Sequence, residues 1–178
     1  MSSRLISIGG YKVYGLRDGF FSLDGGAMFG VVPKIIWGKL IPADKSNRIQ
    51  LGLNSILIEA QDSTILVDAG IGDYLPAKYA KFYAPDREAG LFGELEKLGI
   101  YPEDIRFVIN THLHFDHCGG NTRLGKDGSF HPAFPNAIYI IQKNEWQNAN
   151  NPKGRDKPSY LDYLFLPLQK ENQLHLVE

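Results

Sequence analysis

Four short aliphatic runs constrain the fold of this 178-residue chain more than any other feature of its sequence. Short runs of this kind, bounded by polar or turn-forming residues, are typical of buried strands. The first two flank a polar turn at 61–63, so we expect them to form a strand pair that is buried on both faces. The four runs occupy residues 55–59, 64–68, 105–109 and 138–141.

Helical and irregular segments separate these runs. Leu91, Leu95 and Leu98 follow the i, i+4, i+7 spacing of an amphipathic helix, and Gly99 stands where such helices end. A second, shorter helix is predicted over 143–150. Strands interleaved with helices place the chain in the mixed α/β class. We also predict two short strands over 11–17 and 20–23 with a tight turn at 18–19, and loops over 27–37 and 119–135.

Composition excludes several classes of protein. The 19 Lys and Arg residues balance 20 Asp and Glu, 43% of residues are hydrophobic and 22% are charged, which describes an ordinary globular domain. A coiled coil, a disordered tail and a basic nucleic-acid binder are therefore disfavoured. No apolar run approaches the ~20 residues of a membrane helix, and the N-terminus does not resemble a signal peptide. With Cys118 as the single cysteine, we expect a cytoplasmic protein without disulfides.

A histidine cluster directly follows the third aliphatic run. His112, His114 and His117 fall within six positions, together with Asp116. In an extended chain, residues two apart point the same way, so His112 and His114 can present two imidazoles to one metal ion. The residues between and after them, Leu113 and Phe115, would anchor in the core. A turn at Asp116 would direct Asp116 and His117 to a second ion, and this mixed nitrogen and oxygen set suits zinc, iron or manganese.

The motif His112-x-His114-x-Asp116-His117 resembles the signature of the metallo-β-lactamase-fold hydrolases. Residues 54–58 and 64–70 are similar to the paired strands and the aspartate of that family's first motif, and residues 95–105 and 135–146 look like its lactonase-type branch. The resemblance implies an α/β fold, namely the N-terminal portion of an αββα sandwich. Residues 1–178 would form a single metallo-β-lactamase-like domain that is incomplete at its C-terminus, truncated before the later metal-ligand motifs.

The resemblance also implies roles for individual residues. His112 and His114 would bind the first metal ion, and Asp116 and His117 the second, with zinc as the expected metal and iron or manganese as alternatives. Asp68 would lie behind the ligands and fix an imidazole or the loop backbone. A metal-bound hydroxide would attack a carbonyl or phosphoryl centre, with Asp116 as the catalytic residue that orients it or manages a proton. The sequence identifies no substrate-binding residue.

Members of this family need ligands that have no counterpart in this sequence. A third histidine, a bridging aspartate and a final histidine come from the later half of their chains, whereas His131 and His175 read as an ordinary loop residue and an ordinary strand residue. Since zinc sites use three or four protein ligands, we expect the chain alone to bind metal weakly and to leave one sheet face bare. It would be a fragment of a longer hydrolase, a natural short form completed by a partner or a second copy, or a degenerate binding module.

The leading functional hypothesis is a metal-dependent hydrolase of a small-molecule lactone, ester or phosphotriester. A glyoxalase II-like thioesterase, a mono-iron persulfide dioxygenase and a non-catalytic half-domain that associates through its exposed sheet face are the alternatives. Nucleic acid and membrane are not expected partners, because basic residues are not clustered and no long apolar run exists. Two features stay open: Cys118 is a packing residue or a thiol next to the metal, and the apolar groups at 20–21, 28–29, 31–32 and 36–37 line a pocket mouth or pack in the core.

Overall fold

A seven-stranded mixed sheet organises the chain in the computed structural model, which describes residues 4–178. The strands are β1 (Arg4–Ile8), β2 (Tyr11–Asp24), β3 (Arg48–Glu59), β4 (Thr64–Val67), β5 (Phe107–Ile109), β6 (Thr122–Leu124), β7 (Phe130–Pro132), β8 (Ile138–Gln142) and β9 (Leu174–Val177). The large sheet has the order β1-β2-β3-β4-β5-β8-β9, and β6 pairs with β7 in a small second sheet. Neighbours from β1 to β4 are antiparallel, and those from β4 to β9 are parallel.

Short helices connect the strands. They are α1 (Gly25–Phe29), α2 (Lys34–Trp37), α3 (Ala77–Tyr83), α4 (Gly90–Lys97), α5 (Phe115–Cys118), α6 (Lys143–Asn150) and α7 (Leu166–Lys170). The predicted amphipathic helix is confirmed as α4, which buries Leu91 and Leu95 and is followed by Gly99 in a left-handed conformation. Within residues 4–178, every helix is too short or too polar to cross a bilayer.

The turn predicted between two strands at Asp18 and Gly19 is wrong. β2 runs through this point as one strand of 14 residues, paired along its length with β3. The register shifts between Arg17 and Gly19, which marks a β-bulge that leaves Asp18 out of the ladder. A glycine in a strand pattern therefore signalled a bulge here rather than a chain reversal.

The two predicted loops also contain regular structure. Residues 27–37 include parts of α1 and α2, which are held together by the stacked rings of Phe29 and Trp37, 4.8 Å apart. Residues 119–135 contain the β6–β7 hairpin. Tertiary contacts rather than local periodicity stabilise these pieces, since helices and strands this short are not stable alone.

One face of the large sheet holds the core. Leu57, Leu66, Val108 and Tyr139 are register partners across four neighbouring strands and are fully buried. They belong to one apolar cluster together with side chains of the helices, including Leu95 of α4 and Trp146 of α6.

The opposite face of the sheet is aliphatic but open. Ile56 is 43% exposed and Ile138 is 39% exposed, and the strand β3 alternates between buried and exposed positions. Burial of the first strand pair on both faces, as its aliphatic sequence predicted, is therefore wrong for the described residues. The prediction assumed a cover on each side of the sheet, and residues 4–178 provide the core on one side.

Candidate metal centre

The histidine cluster begins just beyond the carboxyl end of β5. Residues 112–114 have no regular secondary structure, His114 is extended and α5 starts at Phe115, so the turn that the sequence predicted at Asp116 is the first turn of a short helix. Leu113 and Phe115 are buried in the core, as predicted. Alternation between core and site side chains thus fixes the direction of the histidines.

The structure brings the four predicted metal ligands together. The ring centroid of His112 lies 4.6 Å from that of His114 and 4.0 Å from that of His117. Asp116 Oδ2 is 3.4 Å from His117 Nε2. Imidazole and carboxylate groups at these distances form one polar cluster at the end of a buried strand.

Asp68 supports this cluster from the end of the neighbouring strand. Its carboxylate accepts hydrogen bonds from the backbone amide and the hydroxyl of Thr111, both at 2.8 Å, and Oδ2 lies 2.9 Å from His117 Nδ1. Asp68 thus contacts both an imidazole and the loop backbone. Its φ of 57° is unusual for a residue other than glycine, and such conformations persist only where surrounding contacts enforce them.

Electrostatics within the cluster favour opposite charges on His117 and Asp116. Burial would lower the pKa of His117, but its hydrogen bonds to Asp116 and Asp68 outweigh burial and raise that pKa to about 9. Burial would raise the pKa of Asp116, but the hydrogen bond and charge of His117 lower it below its usual value. Burial, followed by the charges of His117 and His114, lowers the pKa of His112. His112 is therefore a neutral imidazole at pH 7, the form that binds metals.

The donor set fits divalent metal ions. Two ligand atoms of a tetrahedral zinc ion, each about 2.1 Å from the metal, lie about 3.4 Å apart, which is the separation of Asp116 Oδ2 and His117 Nε2. Asp68 contacts the other ring nitrogen, as carboxylates do behind many metal-bound histidines. In residues 4–178, however, no three His, Cys, Asp or Glu side chains are arranged to hold one ion together.

The two remaining histidines are not part of the cluster. His131 lies 3.2 Å from Asp127 in the β6–β7 hairpin, and His175 is an exposed residue of β9. Across residues 4–178, neither makes a hydrogen bond, ion pair or ring contact with residues 112–117. Cys118 is fully buried, and its thiol donates to the carbonyl of Leu113 at 3.3 Å, which favours the packing role over that of a thiol next to the metal.

Glu145 is a site residue that our sequence analysis did not single out. It lies in the first turn of α6, and its Oε1 accepts a hydrogen bond from the backbone amide of Leu113 at 2.8 Å. The ring of Tyr160 packs edge-on against His114 with centroids 4.8 Å apart. Its partner Leu113 is 32 residues away in the chain, and local sequence patterns do not carry such information.

Asp18 is a second residue that the sequence analysis missed. Its side chain is fully buried and accepts hydrogen bonds from the amides of Ile71, at 2.8 Å, and Leu91, at 2.7 Å. Arg87 lies 3.4 Å away and balances its charge. The bulged residue of β2 thereby joins the segment after Asp68 to the start of α4.

Glycines allow the segment after Asp68 to touch the segment after His117. The amide of Ala69 donates to the carbonyl of His117 at 2.7 Å, and that of Gly119 donates to Gly70 at 2.8 Å. A Cβ atom on Gly119 would collide with the backbone of Ile71. The two backbones therefore lie in direct contact, and this contact sets the distance between Asp68 and His117.

A cavity of about 610 Å³ is lined by aromatic and charged side chains, and none of the cluster residues lines it. Its wall includes Tyr79 and Tyr83 of α3, and the Tyr83 ring is 4.4 Å from that of Phe115. Burial, and then the nearby Tyr79 and Asp116, raise the pKa of Tyr83, so the phenol stays neutral.

The apolar groups that were candidates for a pocket mouth do not line this cavity. Phe21 and Trp37 are buried and Phe20 is half-buried, whereas Met28, Val31, Val32 and Ile36 are exposed. The core-packing alternative holds for Phe21 and Trp37, and the pocket-mouth interpretation is wrong for this cavity.

Comparison with known proteins gives a consistent family signal. The protein-family model of the metallo-beta-lactamase superfamily matches residues 49–173 of this chain. An N-acyl homoserine lactonase of Bacillus cereus is 29% identical over 131 residues, which cover 68% of this chain and 46% of the relative. The lactonase AttM of Agrobacterium fabrum is 34% identical over 67 residues, covering 38% of this chain and 22% of AttM.

Solved structures agree with the fold. A probable metal-dependent hydrolase from Staphylococcus aureus superposes with a TM-score of 0.85 at 36% identity, covering 97% of this chain and 61% of that one. The dizinc quorum-quenching lactonase AidC, at 20% identity, has a TM-score of 0.72 over 99% of this chain and 61% of its own. The chain thus spans less than half the length of these two curated relatives and about three fifths of these two solved structures. The match to metallo-β-lactamase-fold structures confirms the predicted fold class.

Proposed function

Since the chain belongs to the metallo-beta-lactamase superfamily, we propose that it provides the first metal ligands of a hydrolase that opens lactones, with esters and phosphotriesters as related substrates. The contact between Asp68 and His117 carries this proposal. It turns Nδ1 of His117 toward a carboxylate and leaves Nε2 beside Asp116. An imidazole held in this way is oriented for a metal ion.

We assign different roles to the residues of the cluster. His112 and His114 would bind one ion, and Asp116 and His117 another, in agreement with the pairs that the family resemblance implies. Bound zinc, or iron or manganese, would activate water and polarise the substrate carbonyl. Asp116, whose Oδ2 faces His117 Nε2, is placed to accept a proton and to orient the attacking water.

A lactone with an acyl chain is the substrate that we favour. Curated relatives of the chain are N-acyl homoserine lactonases. Tyr79 and Tyr83, whose rings contact Phe115, give the cavity an apolar wall that would suit an acyl chain. The net charge of −1 gives no support to a polyanionic substrate.

Activity and metal content of the purified full-length protein, in a form that carries the remaining metal ligands, test this proposal together. We expect hydrolysis of an N-acyl homoserine lactone to exceed that of a thioester and a phosphotriester, with two metal ions bound per active site. His114→Ala and Asp116→Asn should abolish most of the activity. His131→Ala is the matched control, since it removes an exposed histidine outside the cluster. Failure on all three substrates would refute the hydrolase proposal, and one iron per site would favour the dioxygenase.

Association through the open sheet face is the second candidate, and the exposure of Ile56 and Ile138 supports it. Light scattering on residues 1–178 tests it. A concentration-dependent dimer that Ile56→Lys disrupts would support association, whereas a stable monomer would contradict it. The cytoplasmic location and the organisation as a single domain stay predictions.

A further inference from the structure

We propose that Glu145 is a positioning residue for the metal site, which holds His112 and His114 at a fixed separation by binding the backbone between them. The inference rests on the proposed function, because it assumes that both histidines are ligands. Glu145 lies in α6 and, among the described residues, does not contact the ring nitrogens of His112 or His114. Glu145 acts on them through Leu113.

Both backbone groups of Leu113 are held by side chains. Its N–H belongs to the peptide that follows His112 and donates to Glu145 Oε1 at 2.8 Å. Its carbonyl belongs to the peptide that precedes His114 and accepts from the thiol of Cys118 at 3.3 Å. The Leu113 side chain is fully buried. Each peptide that links Leu113 to a histidine therefore has its own fixed partner.

The N–H groups of this segment have little other support. In the described chain, the N–H groups of residues 112–114 make no backbone–backbone hydrogen bond, although β5 ends only three residues earlier. Pairing within a sheet would normally fix the separation of two side chains in extended chain. Here the side chains of Glu145 and Cys118 form the hydrogen bonds that a neighbouring strand would otherwise provide.

Glu145 is itself held rigidly. Its backbone amide donates to the side chain of Gln142, which caps α6, at 3.0 Å. The next residue, Trp146, is buried and packs edge-on against Phe165 with centroids 5.6 Å apart. A glutamate at the third position of a helix commonly turns back to the helix cap. The carboxylate of Glu145 instead binds the amide of Leu113. This hydrogen bond ties the histidine loop to a rigid helix.

Two measurements on the purified protein test the inference. Hydrogen exchange of the Leu113 amide in metal-free protein reports on the hydrogen bond, and competition with a chromophoric chelator gives the affinity for Zn²⁺. We expect Glu145→Ala to speed exchange at Leu113 and to weaken zinc affinity about tenfold or more, the usual range for residues that orient ligands. Glu145→Gln retains a carbonyl oxygen that can accept the same bond, and it should rescue both readouts.

Control variants separate positioning from general destabilisation. Glu94→Ala removes another largely buried helical glutamate, which pairs with Lys97 and not with the histidine loop, so zinc affinity should stay at the wild-type value. If Glu145→Ala does not fold, Glu145→Asp retains the charge and withdraws it from Leu113, with the same expected loss of affinity.

Three outcomes would overturn the inference. Wild-type zinc affinity in Glu145→Ala or Glu145→Asp would show that the bond does not position the ligands. An equal loss in Glu94→Ala would assign the effect to stability alone. These measurements use the full-length protein with its remaining metal ligands; if that wild-type protein binds no metal, the proposed function fails first, and this result is distinct from a failure of Glu145.

Discussion

Asp68 and His117, which are 49 residues apart in the chain, are joined by a 2.9 Å contact between Oδ2 of the carboxylate and Nδ1 of the imidazole. Parallel pairing of β4 and β5 makes this contact feasible, because both residues follow the carboxyl ends of adjacent strands. The same carboxylate binds the amide and hydroxyl of Thr111. One side chain thus fixes the start of the histidine loop and one of its imidazoles.

Replacing Asp68 should weaken metal binding without removing a ligand. Asp68→Asn loses the charge that orients His117, and we expect zinc affinity to fall about 10- to 100-fold. A chelator competition titration measures the change. Asp127→Asn, which alters the exposed partner of His131, serves as the control and should bind zinc like the wild type. If the wild type, Asp68→Asn and Asp127→Asn bound zinc with equal affinity, Asp68 would have no role in metal binding.

The buried carboxylate of Asp18 should be essential for stability. Asp18→Ala leaves the amides of Ile71 and Leu91 without their acceptor and leaves Arg87 without a buried partner. We expect the free energy of unfolding to fall by about 3–5 kcal/mol, as measured by urea denaturation. Asp62→Ala, in the turn between β3 and β4, should change it by less than about 0.5 kcal/mol. Similar values for the two variants would contradict this role.

Gly119 should not tolerate a side chain. A Cβ atom there meets the backbone of Ile71, so Gly119→Ala must separate the segments that carry Asp68 and His117. We expect a loss of about 2–3 kcal/mol in the free energy of unfolding. Gly10→Ala is the matched control, because nothing lies within 4 Å of its added methyl group. Thermal unfolding of the two variants would show the difference, and equal melting temperatures would refute the close contact.

The thiol of Cys118 should be unreactive in the folded protein. Burial raises its pKa well above the ordinary value, and the thiol is occupied with the carbonyl of Leu113. Since the thiolate is the reactive form, a disulfide reagent should label the protein slowly at pH 7–8 and rapidly in denaturant. Rapid labelling of the native protein would show instead that the loop around residues 113–118 opens readily.

Local sequence patterns were sufficient for the main elements. The periodicity of Leu91 and Leu95 predicted α4, and the aliphatic runs predicted β4 and β8, because the spacing of apolar residues reflects which side of an element meets the core. These patterns gave the wrong prediction where the conformation of a residue depends on a partner that is distant in the chain. The bulge at Asp18 reads as a turn until its bonds to Ile71 and Leu91 are seen.

The sequence by itself determined the class of fold and the composition of the histidine cluster, because His112, His114, Asp116 and His117 are neighbours in the chain and follow a buried strand. The family resemblance implied a supporting role for Asp68, whereas only the tertiary structure shows which atoms Asp68 contacts and brings Glu145 to the cluster. Asp68 and Glu145 reach it across 49 and 32 residues, respectively, through hydrogen bonds whose partners depend on strand order and helix placement. The tertiary structure also showed that, within residues 4–178, the aliphatic strands are covered on one face, since coverage depends on which elements pack against the sheet and not on the strands' own residues.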